Sequence, residues 1–384
     1  MVIYERDIAV DMGTSSTLVY VQGRGVALRE PTIVAVDKFN GNLLKIGEDA
    51  KKTLGRTPAN IVAIDPITSG VISDYDMAAM MLRELLGRVT SFSLFKPRVL
   101  LCVPSSISGV EERATIDAAI EAGARKVYLL ETAVATAIGA GVDISKPDGH
   151  MVIDIGGGTT EIAVVSMGGV VECESIKTAG NTLDEAIIRY IKNKHKLLIG
   201  NKTAEELKIN IGGVKPRPDA DSEEVKGRCL LNGLPRSVKV SSAELLPVLR
   251  EPVQRIIESV HSVIENTPPE LTGDLGINGI IMSGGGAQLY GLAEMIEEST
   301  HIPIMVVDDP ASCASYGAGK MLYPAINSST EPSPLALQML QEGRLGLKAG
   351  KGLYDYSDRS REEVQAERDE KVMKVVKLAR EMEK

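Results

Sequence analysis

Asp11, Gly13, Thr14, Ser15 and Ser16 crowd into one turn between two apolar stretches, Ile8-Ala9-Val10 and Leu18-Val19-Tyr20-Val21. The arrangement returns in the middle of the chain. There Met151-Val152-Ile153 leads into Asp154, Gly156, Gly157, Gly158, Thr159 and Thr160, and Ile162-Ala163-Val164-Val165 follows. Glycines lack the Cβ atom that would keep an anion away from backbone N–H groups, and Ser and Thr hydroxyls add donors. Two such turns facing each other suit a polyphosphate clamped between them. The Asp at the end of each leading strand could hold Mg²⁺ through water, because Mg²⁺ gives up its hydration shell reluctantly. One copy alone would read as an ordinary hairpin, since Asp and Gly dominate turns. The repetition argues for a site. Neither turn carries the Gly-Lys-Ser/Thr of a P-loop.

A third glycine cluster fits the same plan. Ile280-Ile281-Met282 reads as a short buried strand running into Ser283, Gly284, Gly285, Gly286, Ala287 and Gln288, with a helix expected over 289–298. A glycine turn that feeds a helix N-terminus gives close backbone approach and a dipole favourable to anions.

The elements that must position these turns follow from periodicity and size. Each Asp-containing turn joins two strands in a hairpin. Helices are expected over 75–89 and 204–211, the latter amphipathic, and a strand over 98–103. A chain of 384 residues outgrows a single core, so two lobes are expected. The apolar fraction of 43% and charged fraction of 25% are those of a globular protein, and a net charge of −9 argues against general nucleic-acid binding. The four cysteines show no metal spacing and read as buried thiols. No signal-peptide pattern and no apolar run of membrane-spanning length is present, which leads to the expectation of a cytoplasmic protein.

The three motifs, in this order, resemble the phosphate-1, phosphate-2 and adenosine motifs of the actin, Hsp70 and sugar-kinase superfamily. Within it the chain is most similar to the bacterial actin MreB family, on segments 11–20, 30–35, 96–98, 103–104, 137–141, 154–161 and 203–208. The resemblance covers residue 8 to about 327. It implies an α/β actin-like ATPase fold, two ribonuclease-H-like lobes around a cleft holding ATP and Mg²⁺. Lobe I would span 1–145 with an outer subdomain near 31–75, and lobe II 146–328 with an outer subdomain near 181–240. Carried over, Gly13, Thr14, Ser15, Ser16, Gly156, Gly157 and Gly158 would hold the phosphates, with Asp11 and Asp154 toward Mg²⁺. Glu205, Glu206, Leu207 and Lys208 would meet ribose and adenine, and Gly284 to Gln288 would close the other side of the base. Asp154 and position 132 would belong to the catalytic machinery.

Here the chain departs from the family. A Glu that positions the attacking water is expected at 132, where this chain has Thr132, and Glu131 lies one residue early, about 100° away around a helix. Hydrolysis is therefore expected to be slow, because a Thr hydroxyl is a poor base. Asn181 likewise stands where an Asp is usual.

Phe92, Leu94 and Phe95 fall in a short polar-flanked connection ahead of Lys96 and Arg98. Such tips suit shallow insertion into an anionic bilayer, and packing beneath the lobe is the alternative. The resemblance implies a membrane-inserting loop. After a Ser/Pro linker at 329–334, residues 335–384 form an expected helical tail. Its Gly343-to-Tyr356 stretch resembles the C-terminal end of 3-hydroxyacyl-CoA dehydrogenases, without that family's dinucleotide-binding or catalytic parts. A fused or misjoined segment and a functional one both remain open.

Together these readings point to a membrane-associated, filament-forming bacterial actin homologue at the inner face of the cell membrane. Its expected partners are other copies of itself and membrane-bound shape and cell-wall synthesis proteins. A nucleotide-binding adaptor that forms no filaments is the alternative. A sugar kinase or Hsp70-like chaperone would need insertions or a peptide-binding domain not found here.

Overall fold

The computed structural model describes residues 7–53, 60–90, 96–218 and 222–326. Phe92, Leu94, Phe95, the linker and the tail lie outside them. The described part belongs to one compact unit ending at Ile326.

Two five-stranded sheets share one plan. In the first, Gly25–Pro31, Ser16–Val21 and Asp7–Met12 run as an antiparallel meander, and Arg98–Val103 and Lys126–Glu131 continue it in parallel. In the second, Gly169–Ile176, Thr160–Ser166 and His150–Ile155 form the meander, and Ile280–Ser283 and Ile304–Val306 the parallel pair. The repeated hairpin motif is thus the local mark of a repeated architecture. The central strands are apolar on both faces, as sheets covered on both sides require.

On one face the first sheet packs against helices Tyr75–Thr90 and Gly109–Glu121, the second starting at a capping box made by Ser108 and Glu111. The second sheet is backed by Ser242–Asn266 and Gly180–His195. Smaller three-stranded sheets stand outside each. One joins Leu43–Ile46, Val34–Asp37 and Ile61–Ile64; the other joins Leu197–Leu198, Ser222–Cys229 and Pro235–Ser241. Asp7, buried at the start of its strand, is held by both nitrogens of the Arg98 fork, at 2.8 and 2.9 Å.

Between the sheets lies the helix Thr132–Gly139. Ala135 packs with Ala9 and Leu100 of the first sheet, whereas Ala133, Val134 and Ala137 pack on Ala163, Val165 and Val152 of the second. The helix Cys313–Ile326 crosses it at backbone contact distance. A Cβ on Gly317 would overlap the Ala135 carbonyl, and one on Gly139 would overlap the Cys313 backbone. The small residues of both helices are what allow the sheets to share this axle.

Gly317→Ala should therefore lower unfolding stability by about 1–3 kcal/mol, the usual cost of overpacking. Urea unfolding measures it; a change within about 0.5 kcal/mol, typical of an uncoupled surface site, would mean the crossing is not tight.

Candidate nucleotide cleft

The two Asp-containing hairpins close in the same way. Gly13 N–H donates to the Ser16 carbonyl at 3.0 Å, and Gly156 N–H to the Thr159 carbonyl at 2.9 Å. Their tips then meet. A Cβ on Gly157 would overlap the Ser15 side chain, and one on Gly158 would overlap Thr14. Around this meeting point, Gly70 N–H donates to Thr14 Oγ1 at 2.9 Å and Ser15 Oγ to Asn181 Oδ1 at 3.4 Å. Asn181 N–H donates in turn to the Gly157 carbonyl at 2.8 Å.

A cavity of about 630 Å³ opens beside the tips. Gly13, Thr14, Ser15, Ser16, Gly156, Gly157, Gly158, Asp11, Asp154, Thr132, Glu205, Lys208, Gly284, Gly285, Gly286 and Gln288 all line it. Three residues expected there do not. Leu207 and Ala287 are buried in the second sheet's core, and Glu206 pairs with Lys202 at 3.8 Å on the surface. The helix Asn201–Ile211 turns about 100° per residue, so of four consecutive residues only Glu205 and Lys208 share the cavity face. The third glycine motif also differs from expectation. It continues as a 3-10 turn, Gly285–Gln288, and the helix starts only at Leu292, ending at Thr300. Gly291, at φ 80°, has left-handed backbone that a helix interior cannot contain.

Glu161 also lines the cavity, as do Arg29, Asp184, Arg217 and Tyr290, which lie too far along the chain for their convergence to be read from any motif. Glu161 had a detectable signal, since the hairpin register sets it directly opposite Asp154. Ser105 holds Glu161 through its backbone N–H at 2.9 Å and through its hydroxyl. Asp184 accepts from Lys208 Nζ at 2.9 Å, and Lys208 also donates to the Gly180 carbonyl at 3.0 Å. Arg217 lies over the Tyr290 ring, 5.0 Å from its centre, and donates to the Gly212 carbonyl. Buried Asp184 Oδ1 and Arg217 Nε have no hydrogen-bond partner among the described residues. Across the cleft, Lys51 pairs with Glu205 at 3.3 Å, and Arg29 with Asp309 at 3.5 Å and with Ser312.

Asp11, Asp154 and Glu161 concentrate negative charge at the cavity floor. Burial pushes the Asp11 carboxyl up to about 7, with Asp154 and Glu161 adding repulsion. Burial likewise raises Asp154 to about 6 against a hydrogen bond from Ser283, and Glu161 to about 7 against its bonds from Ser105. Among the described residues no three potential ligands converge closely enough to cage a metal directly. An acidic floor of this kind matches a hydrated divalent cation, which spreads its charge through its own water shell.

Thr132 opens its helix and donates through Oγ1 to the Val103 carbonyl at 3.1 Å. Glu131 ends the preceding strand, outside the cavity lining, with its carboxyl raised by burial.

Twin sheets, facing glycine hairpins and a cavity between them define an actin-like ATPase fold. The chain belongs to the MreB/Mbl family, whose family model (MreB/Mbl protein) matches residues 5–329. It is 44% identical over 321 residues to the cell shape-determining protein Mbl of Bacillus subtilis, covering 83% of this chain and 96% of that one. It is 43% identical over 326 residues to the cell shape-determining protein MreB of Escherichia coli, covering 83% and 94%. Among solved structures, MreB5 of Spiroplasma citri bound to ADP superposes with a TM-score of 0.81 at 35% identity, over 84% of this chain and 99% of that one.

The three floor carboxylates stay protonated in the folded protein to higher pH than in the unfolded chain. Between about pH 4 and 7 the folded state therefore binds more protons, and their contribution to stability falls as pH rises through that window. Asp11→Asn removes one of them. In EDTA at pH 8 the variant should be more stable than the parent, on the order of 1–2 kcal/mol or more, and the gap should narrow steadily as pH falls from 7 to 5. Urea midpoints from pH 5 to 8 measure this; parallel curves would contradict the charged floor.

Proposed function

We propose that this chain binds ATP with Mg²⁺ in the cleft, assembles with copies of itself at the inner face of the cell membrane, and organises cell shape. The observation that carries the nucleotide reading is the meeting of two phosphate-type hairpins beside a cavity with orphaned polar atoms. MreB5 of Spiroplasma citri, similar along its whole length, is described as bound to ADP. The names of the Mbl and MreB relatives supply the cell-shape part of the reading.

The cavity residues divide the work. Thr14, Ser15 and Ser16 face Gly156 to Gly158 around the phosphates, the glycines letting backbone approach. Asp184 Oδ1, which lacks a partner among the described residues, accepts from a ribose hydroxyl, and Arg217 Nε donates to a ring acceptor of the base. Asp11 and Asp154 would hold Mg²⁺ at the cavity floor. When bound, the cation neutralises phosphate charge and relieves the repulsion between these carboxylates. Thr132 leaves the water-positioning place without a carboxylate, its hydroxyl engaged with Val103. The chain accordingly binds ATP well and turns it over slowly.

Membrane attachment rests on Phe92, Leu94 and Phe95 with Lys96 behind them, Arg98 being engaged with Asp7. No helix among the described residues is long and apolar enough to cross a membrane. The peripheral mode is the one this composition suits.

Gly158→Val should weaken ATP binding at least tenfold in calorimetric titration, because the added methyls occupy the place of Thr14. Unchanged affinity would remove the phosphates from between the hairpins. Thr132→Glu should raise steady-state phosphate release about tenfold or more with affinity nearly constant. A parent protein already as fast as the variant would contradict the slow-hydrolysis reading.

A further inference from the structure

Phe39 is one of three phenylalanines in the chain, and it is 84% exposed. It stands at the tip of the hairpin joining Val34–Asp37 to Leu43–Ile46, in the small sheet outside the first five-stranded one. The turn that carries it is tightly bonded. Phe39 N–H donates to Asp37 Oδ1 at 2.8 Å, and Asn42 N–H to Asn40 Oδ1 at 2.9 Å. Gly41 N–H donates to the Asp37 carbonyl at 2.8 Å, and Asp37 N–H to the Asn42 carbonyl at 3.0 Å. Lys38 N–H donates to the Asn60 carbonyl at 2.8 Å, which ties the tip to the neighbouring strand. Gly41 takes the left-handed backbone, φ 69°, that closes such a turn. The ring is therefore held out in solvent by an ordered turn, where it contributes nothing to the core.

The surroundings of the tip are apolar and basic. Leu44 on one edge strand of this sheet and Val62 on the other are also exposed, at 46% and 38%. Residues 38–47 contain Lys38 and Lys45 and no acid. Further along the chain Lys51 and Lys52 pair with Glu205 and Asp49, whereas Lys38 and Lys45 form no ion pair among the described residues. Both ammonium groups are thus available to an anionic partner.

Two arguments make that partner a lipid surface. The first is position. The same small sheet borders the end of helix Tyr75–Thr90: Leu86 and Val89 share a core with Val36, Leu43 and Ile46, and Arg88 donates to Glu30 Oε1 at 2.9 Å. Phe92, Leu94 and Phe95, given a membrane role above, follow Thr90 directly in sequence. The second is area. One ring on a narrow turn falls far short of the roughly 800 Å² that each partner buries in a stable protein contact. A bilayer requires no matching counter-surface, since a single ring can enter the headgroup region while lysines meet phosphates.

We propose that the Phe39 tip is a second point of contact with an anionic bilayer, a proposal that rests on the membrane reading above. The ring enters the boundary between headgroups and acyl chains, and Lys38 and Lys45 pair with lipid phosphates. The hydrogen bonds within the turn lower the cost of bringing its backbone to that depth. A single contact leaves the molecule free to pivot, and a second one fixes which face it turns to the lipid.

The chain contains no tryptophan, so Phe39→Trp in the full-length protein places a lone fluorophore at the tip. With vesicles of phosphatidylglycerol and phosphatidylcholine its emission should shift to the blue and be quenched by brominated acyl chains. Vesicles of phosphatidylcholine alone should leave it unshifted, and added salt should weaken the response. Phe39→Ser and Lys38→Glu/Lys45→Glu should each raise the lipid concentration for half-maximal pelleting about tenfold, with unfolding midpoints near the parent's. Pelleting with vesicles without any shift in emission overturns the tip contact and leaves attachment to residues 92–95. A parent that never pellets with vesicles overturns the membrane reading together with it. A blue shift that accompanies self-assembly without lipid assigns the tip to a neighbouring copy and overturns the proposal.

Discussion

Everything at the cleft depends on how closely two hairpins from different sheets can approach. Gly157 and Gly158 supply no side chain, and into that space fit the side chains of Ser15 and Thr14. Any Cβ at either glycine would push the hairpins apart, and the cavity lining is assembled from both. The approach is fixed from behind by the crossing of two Ala- and Gly-rich helices. Both sheets pack directly on the first of these.

Charge works against this closeness. Asp11, Asp154 and Glu161 are brought together by the hairpin geometry and retain protons well above the ordinary carboxylate range. In the protein alone this is a local destabilisation, of the kind found where a fold gives up stability for a binding site. The cation proposed to bind there would offset that repulsion. Lys51 with Glu205 and Arg29 with Asp309 bridge the same cleft at its rim, but they are half-exposed and screened, so they bias closure weakly.

Much of this was legible in the chain itself. The strands around both hairpins and the helix Tyr75–Thr90 follow from periodicity, and the repeated Asp and Gly positions announce the paired turns. The limits are equally physical. A contiguous run such as 205–208 looks like one contact in sequence, yet helical rotation sends Leu207 to the core and Glu206 to solvent. The helix after the third glycine motif starts late because Gly291 adopts a left-handed backbone that a glycine in sequence does not declare. Asp184, Arg217 and Tyr290 reach the cavity only through tertiary packing. Glu161 lay within reach, since a hairpin that places Asp154 at one strand end fixes its cross-strand neighbour.

A crystal structure of the chain grown with Mg²⁺ and a non-hydrolysable ATP analogue tests the account most directly. The account predicts phosphates between residues 14–16 and 156–158, the ribose at Asp184 and the base beside Arg217 and Tyr290. An analogue bound elsewhere, or a cleft whose hairpins stay in mutual contact with no nucleotide between them at saturating concentration, would contradict it.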